Sequence, residues 1–347
     1  MSRPLRILGF VLILIALGYV ASSRATRALS PASATAVTPQ AAGTQSPGAT
    51  ENAPSRRATA AATASGGPLR FDGQQAFKHA EAQVDFGIRP TGSQASIKTG
   101  DYIMARLKEY GWNVTEQPFV LDIAGQPVNG RNLVGSIGSG PLIIIGAHYD
   151  TRLWADRDPD PANRHKPILG ANDGASGVAV LLELARVLGQ HYTYQQEVRL
   201  VFLDAEDNGG IPGWSNFSLG ATYYVQHLDK RPDTVIILDM IGDRDLNVYY
   251  EGSSMSSAPD VMTGLWTVAE QLGYGANFIK QPKYSMTDDH TPFIQQKIRA
   301  IDVIDFDYPY WHTLADTLDK ISADSLEKVG RVVQTYLEQS GAISPIQ

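Results

Sequence analysis

The apolar residues of this chain follow two spacings, and the places where its apolar runs stop are as informative as the runs. Residues 71–86 and 93–110 carry apolar side chains at helical spacing, with Gly111 as a stop signal after the second. Residues 112–121 alternate as a strand does, and residues 133–137 predict another, with a turn region over 125–130 between them. The pattern then becomes strand, helix, strand: 142–147, 176–188, 198–203, 219–227 and 235–240 in turn. A helix over 260–272, a strand over 300–304 and a helix over 323–337 complete it, while 154–167 reads as a polar, proline-bearing loop. Continuous apolar runs fit strands buried on both faces, and their alternation with helices implies crossover connections. The expected fold class is α/β: a three-layer αβα sandwich on a mixed, centrally parallel sheet.

The first part of the chain differs in kind. Arg3 and Arg6 precede an uninterrupted apolar run over residues 7–21, and Ser22 and Ser23 follow. That is the charged and apolar pair of regions found in an export leader, shorter than the roughly 20 residues of a spanning helix. Residues 1–29 are therefore expected to be a signal peptide, cut near Val20–Ser22 or Ala21–Ser23, or an N-terminal membrane anchor if left uncut. Either way the protein is expected outside the cytoplasm, secreted or membrane-tethered. Residues 30–67 contain Ala, Ser, Thr, Pro, Gly and Gln with almost no large apolar side chain. Such a segment buries too little surface to offset its ordering entropy and reads as a disordered tether. Residues 68–347 suffice for one large core.

Charge and cysteine content narrow the chemistry. The formal net charge is -7 and no basic face stands out, which argues against a nucleic-acid partner. The chain has no cysteine, so a metal site has to be built from histidine and carboxylate. Those residues sit where the apolar runs end: His148 and Asp150 after one, Glu206 and Asp207 after the next, Asp239 after the third. Asp173 lies at the start of a helix after Gly170, and His312 lies beyond the run 301–304. In open parallel sheets ligands gather outside the carboxyl ends of the strands, so these residues are candidates for one zinc site. Each also has a plain structural reading, Asp173 as a helix cap for instance, but together they are hard to assign to caps and surface. The remaining His79, His165, His191 and His227 read as surface residues.

The ordered segments Gly146-Ala147-His148-Tyr149-Asp150, Gly170-Ala171-Asn172-Asp173, Asp204-Ala205-Glu206-Asp207, Leu238-Asp239-Met240-Ile241-Gly242 and Trp311-His312-Thr313 resemble the co-catalytic zinc aminopeptidase family. That family also contains the animal-type glutaminyl-peptide cyclotransferases, and the resemblance spans about residues 70–340. It implies Asp173 as the shared ligand, with Asp207 and His312 completing one zinc site and His148 and Asp239 a second. Glu206 would be the general base or proton shuttle, and Asp150 would orient His148. The family usually has Glu at the position of Asp207; a carboxylate one methylene shorter can still ligate, provided the backbone lies closer.

Two activities fit the resemblance. An aminopeptidase would use two zinc ions and Glu206 to activate a water against the peptide bond. A glutaminyl cyclase would use one zinc to polarise the side-chain amide of an N-terminal glutamine, while Glu206 moves a proton from the attacking amine to the leaving ammonia. Trp214 and Trp311 resemble the aromatic walls of a cyclase pocket. Asp288-Asp289-His290-Thr291-Pro292-Phe293 resembles a cyclase motif whose first Asp, here Asp288, joins a carboxylate network with the shuttle. The segment Asn172-Asp173-Gly174-Ala175-Ser176-Gly177 and the retention of His148 and Asp239 fit the peptidase. The resemblance implies one or two Zn2+ ions and peptide or protein N-termini as substrates, cyclisation standing slightly ahead of hydrolysis. An inactive peptide-binding module on the same fold is the third reading; it should have lost ligands, which this chain keeps.

Overall fold

The structure, a computed structural model, describes residues 70–346. The leader and the tether expected over residues 1–67 lie outside the described residues. Among the described residues, no helix is long and apolar enough to cross a membrane.

Asp72 caps helix α1 (Gly73–Asp85), accepting from the backbone amides of Gln74 and Gln75, and Ser93 caps α2 (Gln94–Glu109) through the amide of Ser96. Strands β1 (Asn113–Ile123) and β2 (Gln126–Ile137) form a long antiparallel hairpin. The turn is shorter than the expected 125–130. Only Ala124 and Gly125 connect the strands, with φ of 53° and 80°, the two left-handed residues whose twist suits a two-residue hairpin. Gly130, read as turn, sits inside β2, where Phe119 packs over it.

Beyond the hairpin come β3 (Leu142–His148), α3 (Ala175–His191), the short β4 (Tyr192–Tyr194), β5 (Glu197–Leu203), α4 (Leu219–Gln226) and β6 (Thr234–Asp239). After these lie β7 (Val248–Glu251), α5 (Gly252–Ser257), α6 (Pro259–Gln271), β8 (Phe278–Tyr284), α7 (His290–Gln295), β9 (Ala300–Ile304), α8 (Ala323–Gln339) and β10 (Ile343–Pro345). The main sheet has six strands in the order β1-β2-β5-β3-β6-β9. Its hairpin edge is antiparallel, and β5, β3, β6 and β9 run parallel. Two pairs outside it, β4 with β10 and β7 with β8, were not expected, because strands this short or this exposed carry no readable alternation.

Successive residues of β3 serve opposite cores, as a period of two requires. Ile143, Ile145 and Ala147 pack into the core shared with α1, α3, α6 and α8, while Leu142 and Ile144 pack with Tyr224 of α4 and Phe293 of α7. The chain thus leaves β3 over one face and β5 over the other, and β6 is laid on the far side of β3. This reversal is the topological switch point at which α/β sheets open a crevice. At that point α3 approaches the sheet so closely that a Cβ on Gly177 would lie 2.3 Å from the carbonyl oxygen of Leu238.

One of the histidines read as surface is not there. His79 faces inward from α1, is only 7% exposed and contacts the Tyr102 hydroxyl at 2.6 Å. Burial pushes its pKa down to about 4. His165, His191 and His227 are exposed.

Candidate metal centre

The parallel strands deliver their last residues to one rim. His148 ends β3 and is paired in register with Leu203 of β5, and Asp239 ends β6 beside Ile304 of β9. Glu206 and Asp207 lie in the turn after β5, Asp173 in the loop before α3, and His312 in the loop after β9. The backbone is bent hard to aim them. Ala205, Ser218, Met240 and His312 have φ between 47° and 60°, a left-handed conformation that side-chain-bearing residues adopt uncommonly and that concentrates at functional sites. Asp173 does not cap α3; the cap position is Gly174, at φ 98°, where a Cβ would meet the His148 ring at 2.9 Å.

These side chains interleave nitrogen with oxygen. His148 Nε2 lies 3.1 Å from Asp239 Oδ1 and 3.2 Å from Asp173 Oδ1. His312 Nε2 lies 3.0 Å from Asp207 Oδ1 and 3.7 Å from Asp173 Oδ2. Asp173 therefore presents one oxygen to each imidazole, in the manner of a bridging ligand. With zinc bonds of about 2.0–2.2 Å, neighbouring ligand atoms of a tetrahedron stand about 3.3 Å apart, which is the spacing found here. All five residues are buried, and Asp207 Oδ2 has no hydrogen-bond partner. Three buried carboxylates and an orphaned oxygen need a cation, so the residues fit zinc on charge, donor type and distance.

Each imidazole has a carboxylate behind it. Asp150 Oδ1 lies 3.6 Å from His148 Nδ1 and accepts the Glu206 amide at 2.9 Å, so one carboxylate faces the ligand and holds the segment that carries Glu206. Asp156 Oδ1 faces His312, 3.2 Å from its Nδ1. Arg152 clasps Asp156 with Nε at 2.8 Å and Nη2 at 3.2 Å, and its Nη1 donates to the Asp207 carbonyl at 2.5 Å. Sequence reasoning missed Asp156 and Arg152, because both lie in segments without periodicity. It also missed Asp316, which accepts the amides of Asn172 and Asp173 at 2.8 and 3.1 Å and receives the Tyr308 hydroxyl at 2.7 Å.

Electrostatics separate the carboxylates. Burial alone would raise Asp173, but His148 and the other nearby cationic groups hold it below its usual value. Burial pushes Asp207 up to about 6, with repulsion from Asp173 second. His312 stands at about 9: burial lowers it, and Asp207 and Asp156 more than reverse that. Glu206 belongs to another group, close to Asp288 and Asp289. Burial, then repulsion from Asp288, drives it well above an ordinary glutamate, and burial pushes Asp288 itself up to about 7. Ser218 Oγ donates to Glu206 Oε1 at 3.2 Å.

A cavity of about 250 Å3 opens over this floor, lined by Asp173, Glu206, Asp207, Asp239 and Asp288 below and by Phe217, Met286, Phe306 and Trp311 around it. The structure brings Trp311 to this cavity and places Trp214 elsewhere. Trp214 lines a separate cavity of about 680 Å3 under the β1–β2 hairpin, beside Ile123, Leu153 and Asp204. Phe217, three residues later in the same loop, occupies the active-cavity wall instead.

A buried His and Asp centre at the switch point of a mixed α/β sheet defines a zinc-exopeptidase-like enzyme. Residues 132–337, more than half of the chain, match peptidase family M28, and the protein belongs to that family. Its relatives divide between two activities. A leucine aminopeptidase precursor from Bacteroides thetaiotaomicron is 36% identical, with a TM-score of 0.73 over 77% of this chain and 97% of that one. A glutaminyl cyclase from the same organism, solved with N-acetylhistamine bound, is 35% identical with a TM-score of 0.73 over 77% and 97%. A glutaminyl-peptide cyclotransferase-like protein of Mus musculus is 22% identical over 73% of this chain and 72% of its own length. The resemblance read from the ordered motifs is thus shown at the level of the family. The chain is a zinc-dependent enzyme of the glutaminyl cyclase or aminopeptidase kind, from a family that acts at peptide N-termini.

Proposed function

We propose that this protein is a zinc-dependent glutaminyl-peptide cyclotransferase that closes N-terminal glutamine to pyroglutamate outside the cytoplasm. The observation that carries this reading is the burial of Glu206 against Asp288 and Asp289. A carboxyl in that setting holds and returns a proton, which is what a shuttle between amine and leaving ammonia requires. Asp173, Asp207 and His312 would hold the zinc, which supplies Lewis-acid polarisation of the side-chain amide carbonyl when bound.

The chain's own groups do the rest. The acidic floor draws the N-terminal amine inward, and Trp311 and Phe306 wall the glutamine side chain so that its amide carbon faces that amine. The amine nitrogen bonds to the amide carbon, the bond from that carbon to the side-chain nitrogen breaks, and ammonia leaves. Glu206 takes the proton from the attacking nitrogen and gives it to the departing one, while Asp288 keeps Glu206 in the range where both transfers run.

The second reading, an aminopeptidase, is favoured by one observation: His148 and Asp239 complete a second triad with Asp173. There Glu206 would take a proton from water instead. Offering the zinc-loaded protein a glutaminyl peptide and a leucine anilide separates the two. Ammonia release from the first with no cleavage of the second supports the cyclase, and anilide cleavage without ammonia overturns it.

A further inference from the structure

The cavity over the carboxylates is acidic at its floor and has a single cation among its lining residues, Arg157. Arg157 is exposed, and among the described residues no carboxylate stands within ion-pair distance of its guanidinium. Its neighbour Arg152 differs, being buried and clasped by Asp156. Arg157 is nonetheless held in place. Its guanidinium lies 5.1 Å from the centre of the Trp311 ring, its backbone amide donates to the His312 carbonyl at 3.1 Å, and Trp311 in turn packs on the His312 ring at 3.9 Å. An arginine fixed over an indole keeps its fork of N–H donors available to a carboxylate.

The size of the cavity sets what meets that fork. At about 250 Å3 it falls below the roughly 300 Å3 at which small-molecule pockets begin. It accepts one terminal residue, and the group that follows stays at the rim beside Arg157. The floor attracts the substrate's amine and the rim attracts an acid, so a peptide with both is oriented end to end.

Resting on the reading that this site acts on peptide N-termini, we propose that Arg157 selects a carboxylate immediately after the N-terminal residue. The favoured substrates are peptides with an acidic second residue or dipeptides whose free C-terminal carboxylate falls there. The same charge works against lysine or arginine in the second position.

Four ligands test this on the zinc-loaded full chain: Gln-Ala-amide, Gln-Glu-amide, Gln-Lys-amide and Gln-Ala with a free carboxylate. Ammonia and free glutamine are both recorded, and binding to the Glu206→Gln protein is followed by tryptophan fluorescence, so the preference is read with or without turnover. The expected result is a preference of roughly fivefold for Gln-Glu-amide or free Gln-Ala over Gln-Ala-amide, the scale of an exposed charge pair. Comparing those two acidic ligands tells whether the side-chain or the terminal carboxylate is the one read. In Arg157→Gln the ratios fall to about one, and in Arg157→Glu the preference turns to Gln-Lys-amide. Raised salt weakens the wild-type ratio. Wild-type ratios that persist in Arg157→Gln, or no preference in the wild type, overturn the proposal. Release of glutamine in place of ammonia overturns the cyclase reading alone, and the ratios then still decide the role of Arg157.

Discussion

Two groups of buried acids stand side by side in this molecule, and only one of them alternates its carboxylates with two imidazoles. In the first, Asp173, Asp207 and Asp239 alternate with His148 and His312 at nitrogen-to-oxygen distances of 3.0–3.7 Å. In the second, Glu206, Asp288 and Asp289 gather without an imidazole, and Asp288 and Asp302 meet the single ring of His290, whose Nε2 is turned to Glu251 at 3.4 Å. Both oxygens of Asp289 and of Asp302 are buried without a partner. In the first group cationic neighbours keep Asp173 below its usual value while burial raises Asp207 to about 6 and lifts Asp239, whereas in the second burial and mutual repulsion push Glu206, Asp289 and Asp302 well above the carboxylate range. Interleaved imidazole offsets burial, fully at Asp173 and in part at Asp207 and Asp239, and without it buried acids hold their protons.

The largest effect should come from removing the stored proton. Glu206→Gln is expected to lower kcat by about a thousandfold, within the range for positioned acid–base groups, while zinc content measured by atomic absorption stays at the wild-type value. Zinc lost together with activity would move Glu206 into the ligand set and erase the distinction. A smaller effect is expected behind the metal centre. Asp156→Asn should weaken zinc binding by roughly 10–100-fold in a chelator competition, as changes in the groups behind ligating histidines do. Unchanged affinity would mean that the hold of Asp156 on His312 contributes nothing to the centre.

The smallest effect is on stability against pH in the zinc-free protein. Burial pushes Asp204, Asp288, Asp305 and Asp316 up to about 7, and His312 stands at about 9. A group raised on folding binds its proton more tightly in the folded state, so the stability it provides is lost as pH rises through that folded value. Asp156 and Asp173 are held low and lose their contribution only in acid, below the ordinary carboxylate value. His79, depressed to about 4, opposes the trend below pH 6.5. Urea midpoints should therefore fall from pH 5 to pH 8, and bound zinc should flatten the slope. Midpoints that rise over this range would contradict the assignment of raised values.

The sequence made the centre of the fold legible because buried parallel strands are written as plain apolar runs, and the residues at their ends need no long-range information to be noticed. What it hid depends on contacts across the chain. Asp156 reaches His312 across more than a hundred residues, from a loop with no period, and Asp316 supports Asp173 in the same way. His79 sits at a helical position whose polar type suggested solvent, but Tyr102 of the next helix covers it. Trp214 and Phe217 share one loop, and only the left-handed turn at Ser218 and the packing of Phe217 over Gly209 settle which aromatic ring faces the metal centre. The β1–β2 turn was misplaced because Gly130 signals a turn in sequence, while in space it makes room for the Phe119 ring.

The central claim, that the interleaved group and not its acidic neighbour is the metal centre, is tested most directly by anomalous scattering at the zinc edge from crystals grown with zinc. The account predicts a peak between Asp173, Asp207 and His312, with any second peak between Asp173, His148 and Asp239. A zinc peak among Asp288, His290 and Asp302, with none at Asp173, would contradict it.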